Sequence, residues 1–196
     1  LKDLAHKDDE SIRFFVARNP STPADTLKLL SHDSAKFAWR YVRGNVGLNP
    51  NAPDSVLESL AQDIEFEVRC STAENLNLPI ALLRMLAQDE SFNVRAGVAC
   101  NRNAPVELLK LLSSDECEYV RRHVANNPNA GADILESLSR DQSHTVRTAI
   151  AGNFHTPASA LEKLFSNCQE IGNASRNRDT MVADLAKADF QVRAGS

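Results

Sequence analysis

The chain has 196 residues, of which 42% are hydrophobic, 6% aromatic and 24% charged, with four cysteines. Its 22 basic and 26 acidic side chains leave a formal charge of −4, which disfavours a nucleic-acid partner, because such a partner calls for a basic face. No apolar run reaches the length of a membrane span, no signal peptide is visible, and the irregularly spaced cysteines suit reduced thiols in a cytoplasmic protein better than a disulfide framework.

One pattern recurs along the chain, and repeats take precedence over any local reading. A Val-Arg or Ile-Arg pair stands at Ile12-Arg13, Val42-Arg43, Val68-Arg69, Val94-Arg95, Val120-Arg121, Val146-Arg147 and Val192-Arg193. From Val42 to Val146 the spacing is 26 residues each time. Seven residues after each of the first six pairs comes Asn19, Asn49, Asn75, Asn101, Asn127 and Asn153; eleven after comes Pro23, Pro53, Pro79, Pro105, Gly131 and Pro157. Five residues before four of the pairs stand Asp63, Asp89, Asp115 and Asp141.

In chain order, Leu1, Leu4 and Ala5 precede Ile12 in the register in which Leu57, Leu60 and Ala61 precede Val68. The chain is therefore expected to open inside a repeat. After each Pro, Leu recurs at plus four and plus seven, as in Leu27 and Leu30 or Leu109 and Leu112. That spacing is one face of a helix, with Pro suited to the first turn and Thr22 and Thr156 as N-cap candidates. Around each Val-Arg pair the apolar positions predict a second, shorter helix ended by the Asn. Each repeat thus reads as a long helix, an Asp loop, a short helix and an Asn turn. Ile12 to Val42 holds four extra residues, in a stretch with Trp39 and Tyr41. Repeats are regular over about residues 8–165, and 166–196 is a degenerate unit with a longer loop over Asn167 to Arg178. Both ends fall mid-repeat in what reads as one domain, 1–196.

These units specify an all-α fold, an α-solenoid of six to seven two-helix repeats. One repeat has too few large apolar side chains to offset its own ordering, so stability has to come from neighbours. Arg69, Arg95, Arg121 and Arg147, with Asp63, Asp89, Asp115 and Asp141, read as a structural ladder of ion pairs rather than a phosphate stripe, since paired aspartates cancel the field a phosphate would need. Asn75, Asn101, Asn127 and Asn153 read as turn devices that bond the local backbone and tolerate left-handed geometry.

The string VRAGVACNRNAP...LLKLLSSD resembles the leucine-rich repeat variant family, and Ile12 to Leu30, IRFFVARNPSTPADTLKLL, is its best copy in this chain. The resemblance implies a right-handed solenoid of alternating α and short α or 3₁₀ helices, mostly bacterial, and the Asp-to-Arg turn is similar to that of HEAT repeats. One member of the family carries an iron–sulfur segment beside its repeats; Cys70, Cys100, Cys117 and Cys168 do not match it, so no cofactor is expected.

No catalytic or metal-binding motif is present, and no enzyme is expected. The positions two, three and six after each Val are expected to be the exposed, freely varying face of the short helices. On it Phe14, Arg18, Arg122 and His123, with Trp39 and Tyr41 beside the insertion, are candidate partner contacts, since Trp, Tyr and Arg are enriched at binding hot spots. The reading is a non-enzymatic scaffold that binds a protein or peptide on its concave face. The alternative is a HEAT-like DNA-binding protein or glycosylase for alkylated bases, using Trp39, Arg40, Arg43 and the Arg121, Arg122, His123 cluster.

Overall fold

The structure is a computed structural model that describes residues 1–34 and 42–171, the last seven of these by backbone alone. Trp39 and Tyr41 therefore lie outside the described residues, as do most of the degenerate unit and the last Val-Arg pair. The fold is an all-α helical-repeat solenoid, and no strand occurs among the described residues. The chain divides into two compact units, Leu1–Ala104 and Pro105–Ser196.

In the first unit a 3₁₀ turn, Leu4–His6, precedes α1 (Glu10–Arg18), α2 (Ala24–Leu30), α3 (Val42–Leu48), α4 (Asp54–Leu60), α5 (Phe66–Ala73), α6 (Ile80–Leu86) and α7 (Phe92–Cys100). The second holds α8 (Val106–Leu112), α9 (Glu118–Asn126), α10 (Ala132–Leu138), α11 (His144–Gly152) and α12 (Ala158–Ile171). Two expectations are corrected here. The Pro-led helices α2, α4, α6 and α8 and the Gly131-led α10 have seven residues each, while α1, α7, α9 and α11, which carry Val-Arg or Ile-Arg, have nine; α3 and α5 have seven and eight, and α12, after Pro157, has fourteen. Outside α3 and α12 the long and short labels are thus exchanged. The reason is that Pro sits outside the helix as N-cap, in extended geometry such as φ −63°, ψ 149° at Pro23, and the helix stops right after the second Leu. The loop expected from Asn167 is also displaced, because α12 continues to Ile171.

Both helix types are α-helical, and the 3₁₀ geometry is confined among the described residues to Leu4–His6. Gly131 takes the Pro position of α10 with φ −65° and ψ 159°, the same extended conformation as its Pro counterparts. Thr22 makes no cap on the helix that follows it, and it shares another role with Thr156. Their buried hydroxyls donate backwards, to Val16 O at 2.5 Å and Ile150 O at 2.7 Å, and so close the ends of α1 and α11.

The Leu columns form the core of each unit. Leu27, Leu30, Leu57, Leu60, Leu83 and Leu86 are buried in the first, and Leu109, Leu112, Leu135, Leu138, Leu161 and Leu164 in the second. Val42, Val68, Val94, Val120 and Val146 pack behind them, fully buried. Each buried Leu or Val contributes about 2 kcal/mol. The second helices lie side by side: α1 on α3, α3 on α5 and α5 on α7 in the first unit, α9 on α11 in the second. Small residues set that closeness. A Cβ on Gly97 would stand 3.0 Å from Cys70 O and 3.1 Å from Ala73 Cβ, and one on Gly47 would collide with Thr72 Oγ1 at 2.3 Å.

Candidate functional site

The described repeats carry two polar seams and one variable face on and around the second helix. The first seam lies at its N-terminal end. Arg69, one turn into α5, reaches forward to the aspartate of the next repeat: Nε donates to Asp89 Oδ2 at 2.6 Å and Nη2 to Asp89 Oδ1 at 2.9 Å. Its Nη1 turns back and donates to Asp63 O at 2.8 Å and Ile64 O at 3.2 Å in its own loop. The arrangement recurs as Arg13 with Asp33, Arg43 with Asp63 and Arg121 with Asp141. Arg95 and Arg147 make the same backward bonds, to Asp89 O and Asp141 O, each at 2.9 Å. The side chains of Arg69 and Asp89 are only 11% and 9% exposed.

Each carboxylate also organises its own loop. Asp63, Asp89, Asp115 and Asp141 accept, through Oδ1, the backbone N–H two residues on, at 2.7–3.0 Å. Burial pushes the Asp89 carboxyl up. The Arg69 hydrogen bonds, the Ser91 N–H and the charges of Arg69 and Arg95 outweigh it and hold the group below the usual carboxylate range. Conversely, the Asp89 hydrogen bond drives Arg69 up despite burial. The four-residue insertion leaves this seam intact. Asp33 still pairs with Arg13, and its carbonyl still accepts from Arg43 Nη1 at 2.7 Å, so the extra residues fall between Asp33 and Arg43.

The second seam lies at the C-terminal end. Asn75 Oδ1 accepts from Asn77 N at 2.8 Å, the expected turn. Its Nδ2 does more, donating to Gly47 O at 2.6 Å and Asn49 O at 2.9 Å in the previous repeat. Asn49 bonds Ala17 O and Asn19 O, Asn101 bonds Ala73 O and Asn75 O, and Asn153 bonds Ala125 O and Asn127 O. Asn127 accepts from Asn129 N at 2.8 Å. Left-handed geometry plays no part: Asn19, Asn101, Asn127 and Asn153 are extended, with φ between −66° and −83°. A second Asn column went unread in the sequence. Asn51, Asn77 and Asn103 donate through Nδ2 to Pro20 O, Pro50 O and Leu76 O at 2.6–2.8 Å.

The variable face is narrower than expected. Six residues after Val or Ile, the residues Arg18, Leu48, Glu74, Cys100, Asn126 and Gly152 are all exposed. At plus two and plus three only Phe15 is exposed among the described residues. Phe14, Gly44, Ala96, Gly97 and Ala149 are buried, because that side of the helix faces the adjacent second helix. Phe14, a candidate contact, is a core residue with 4% exposure, set edge-on to Phe15. Arg122 and His123 are half-buried. The Arg122 guanidinium lies over the Tyr119 ring, 5.2 Å from its centre, and His123 meets the same ring edge-on at 4.4 Å. Burial, and then the Arg122 charge, holds the His123 pKa below its ordinary value.

A cavity opens on this face in each unit. In the first, Leu48, Glu74, Leu76, Cys100 and Arg102 line about 550 Å³. In the second, Arg122, Asn126, His144, Thr145, Thr148 and Gly152 line about 420 Å³. Both volumes fall in the ~300–1,000 Å³ range of ligand sites. Three thiols, Cys70, Cys100 and Cys117, are described, and none is in a disulfide. Cys70 donates to Asn93 O at 3.3 Å, and burial pushes its pKa up to about 12, which keeps it protonated. Cys100, at a plus-six position, is exposed. No group of three or more potential metal ligands comes together among the described residues, and no helix there is long and apolar enough to cross a membrane.

The family model for the leucine-rich repeat variant matches residues 11–35. No curated protein sequence matches the chain. Among solved structures, one described as a leucine-rich repeat variant with a novel repetitive structural motif is 28% identical, with a TM-score of 0.61, over 95% of this chain and 70% of its own. An engineered protein aligns over 97% of this chain and 94% of its own at 14% identity, but its TM-score of 0.34 is too low to bear on the fold. Residues 11–35 thus match a repeat of the leucine-rich repeat variant family, and the chain as a whole is similar to a solved leucine-rich repeat variant.

Proposed function

We propose that the protein is a non-enzymatic scaffold that binds a protein or peptide along the exposed face of its second helices. The observation that carries this reading is the coincidence of two features at one register. The plus-six residues differ from repeat to repeat, and in each unit they line a cavity of ligand size. A fixed frame with changing side chains at one position is how a repeat protein acquires a specific surface. Fold alone does not carry function, and the polar seams give the supporting argument. Their groups bond one another, so they are committed to the frame and the variable residues are left for recognition.

The same pairing counts against a nucleic-acid partner. Arg13, Arg43, Arg69 and Arg121 each face an aspartate, so the arginine column offers phosphate little net field. The test is a peptide-display selection on the whole chain, followed by anisotropy measurements with Glu74→Arg and Asn126→Glu. Selected peptides should bind the parent chain and be weakened at least about tenfold by one of the two charges, a like-charge or steric block worth ~1.4 kcal/mol or more. Tight, salt-sensitive binding of duplex DNA with no peptide selected would overturn the proposal.

A further inference from the structure

We propose that the cavity between α9 and α11 seats the carboxylate of an acidic side chain in the bound peptide, with Arg122 as its counter-ion. This deepens the peptide-binding reading and rests on it. Arg122 and its neighbour Arg121 make the contrast. Arg121 is saturated by two bonds to Asp141 and by the carbonyls of Asp115 and Glu116. Arg122 has no carboxylate against it. Its Nε is closed off from solvent with no hydrogen-bond partner, and its one recorded contact is the Tyr119 ring. The terminal Nη atoms are not closed off in this way, and they are the donors that an incoming carboxylate can reach in a charge-assisted pair.

The surroundings fit the same ligand. Asn126, His144, Thr145, Thr148, Ala149 and Gly152 complete the lining, and none of them carries a negative charge. The Tyr119 ring under the guanidinium narrows the freedom that binding would otherwise have to remove. A single fixed cation matches a single carboxylate. A phosphoryl group, with about −1.5 to −2 charges, is typically held by a cluster of arginines, and the second cation nearby is already given to Asp141.

The experiment follows the arginine Nε–H resonances of ¹⁵N-labelled full-length protein, assigned through Arg122→Lys. The probes are the capped peptide Ac-Ala-Ala-Glu-Ala-Ala-NH₂ and its counterparts with Gln or phosphoserine at the centre. The Glu peptide should shift the Arg122 resonance in a saturable way, and the Gln peptide should bind at least about tenfold more weakly, as expected for loss of a charge-assisted hydrogen bond. Arg122→Gln should abolish the difference between the two peptides, while Arg140→Gln should leave it unchanged. Equal binding of the Glu and Gln peptides, or binding of the phosphoserine peptide alone, overturns the inference; because these comparisons use the unmutated chain, a misfolded variant cannot obscure them. If display selects peptides indifferent to Arg122→Gln and to Glu-to-Gln exchange, this inference fails and the scaffold reading stands. If display selects nothing, the scaffold reading fails, and the Glu peptide titration still decides the pocket.

Discussion

The two ends of a second helix hold neighbouring repeats together by opposite means. At the N-terminal end, Arg69 and Asp89 are charged, about one-tenth exposed, and bonded side chain to side chain. At the C-terminal end, Asn75 is neutral, buried, and bonded to the backbone carbonyls of Gly47 and Asn49. The difference matters because a side-chain partner can be replaced along with its mate, whereas a carbonyl remains wherever the chain runs. The side-chain pair of the charged seam is therefore exchangeable together, though the Arg69 bonds to Asp63 O and Ile64 O go with it, and the seam is sensitive to acid. The amide seam is neither.

The largest expected effect breaks the charged seam from one side. Arg69→Met strands the Asp89 carboxylate and should lower stability by about 3–5 kcal/mol, the cost of an uncompensated buried charge, read from the urea unfolding midpoint. Next comes Asn75→Ala, which removes the donor to two buried carbonyls and the acceptor for Asn77 N–H. It should cost about 2–3 kcal/mol, with no dependence on salt beyond that of the parent chain. Smaller again is the acid response. Because the folded Asp89 carboxyl is held below its unfolded value, its stabilisation is complete above roughly pH 4 and is lost as pH falls towards the folded pKa. Asp89→Asn should flatten the fall of the urea midpoint between about pH 5 and pH 3, while Asn75→Ala should keep the parent slope. The smallest effect is a gain. Gly131 already holds the φ of proline, so Gly131→Pro should raise stability by about 0.5 kcal/mol through the unfolded chain, seen as a higher melting temperature.

The repeat, its Leu columns and the Arg-to-Asp spacing were legible because burial imposes a period that composition cannot hide. Leu57 and Leu109 occupy equivalent buried positions in different units. Helix lengths were misread because apolar spacing marks a face, not an end, and Pro23 and Pro53 lie outside the helices they start. The register also left the roles of asparagine half-read. A second column, nine residues after Val42, Val68, Val94 and Val120 at Asn51, Asn77, Asn103 and Asn129, stands in the sequence. Only the structure reveals that both asparagine columns tie backbones of successive repeats rather than merely bending their own. The exposed face was drawn too wide for a similar reason. Phe14 and Ala96 share a helix side with adjacent second helices, and one strand of sequence carries no sign of which side that is.

The central claim is that each repeat is held by its neighbour through specific polar bonds rather than by apolar stacking alone. A double-mutant cycle on Arg69→Met and Asp89→Leu tests it most directly. The account predicts a coupling of about 2 kcal/mol or more, with the double variant recovering much of what either single change loses. Strict additivity, with coupling under about 0.3 kcal/mol, would contradict it.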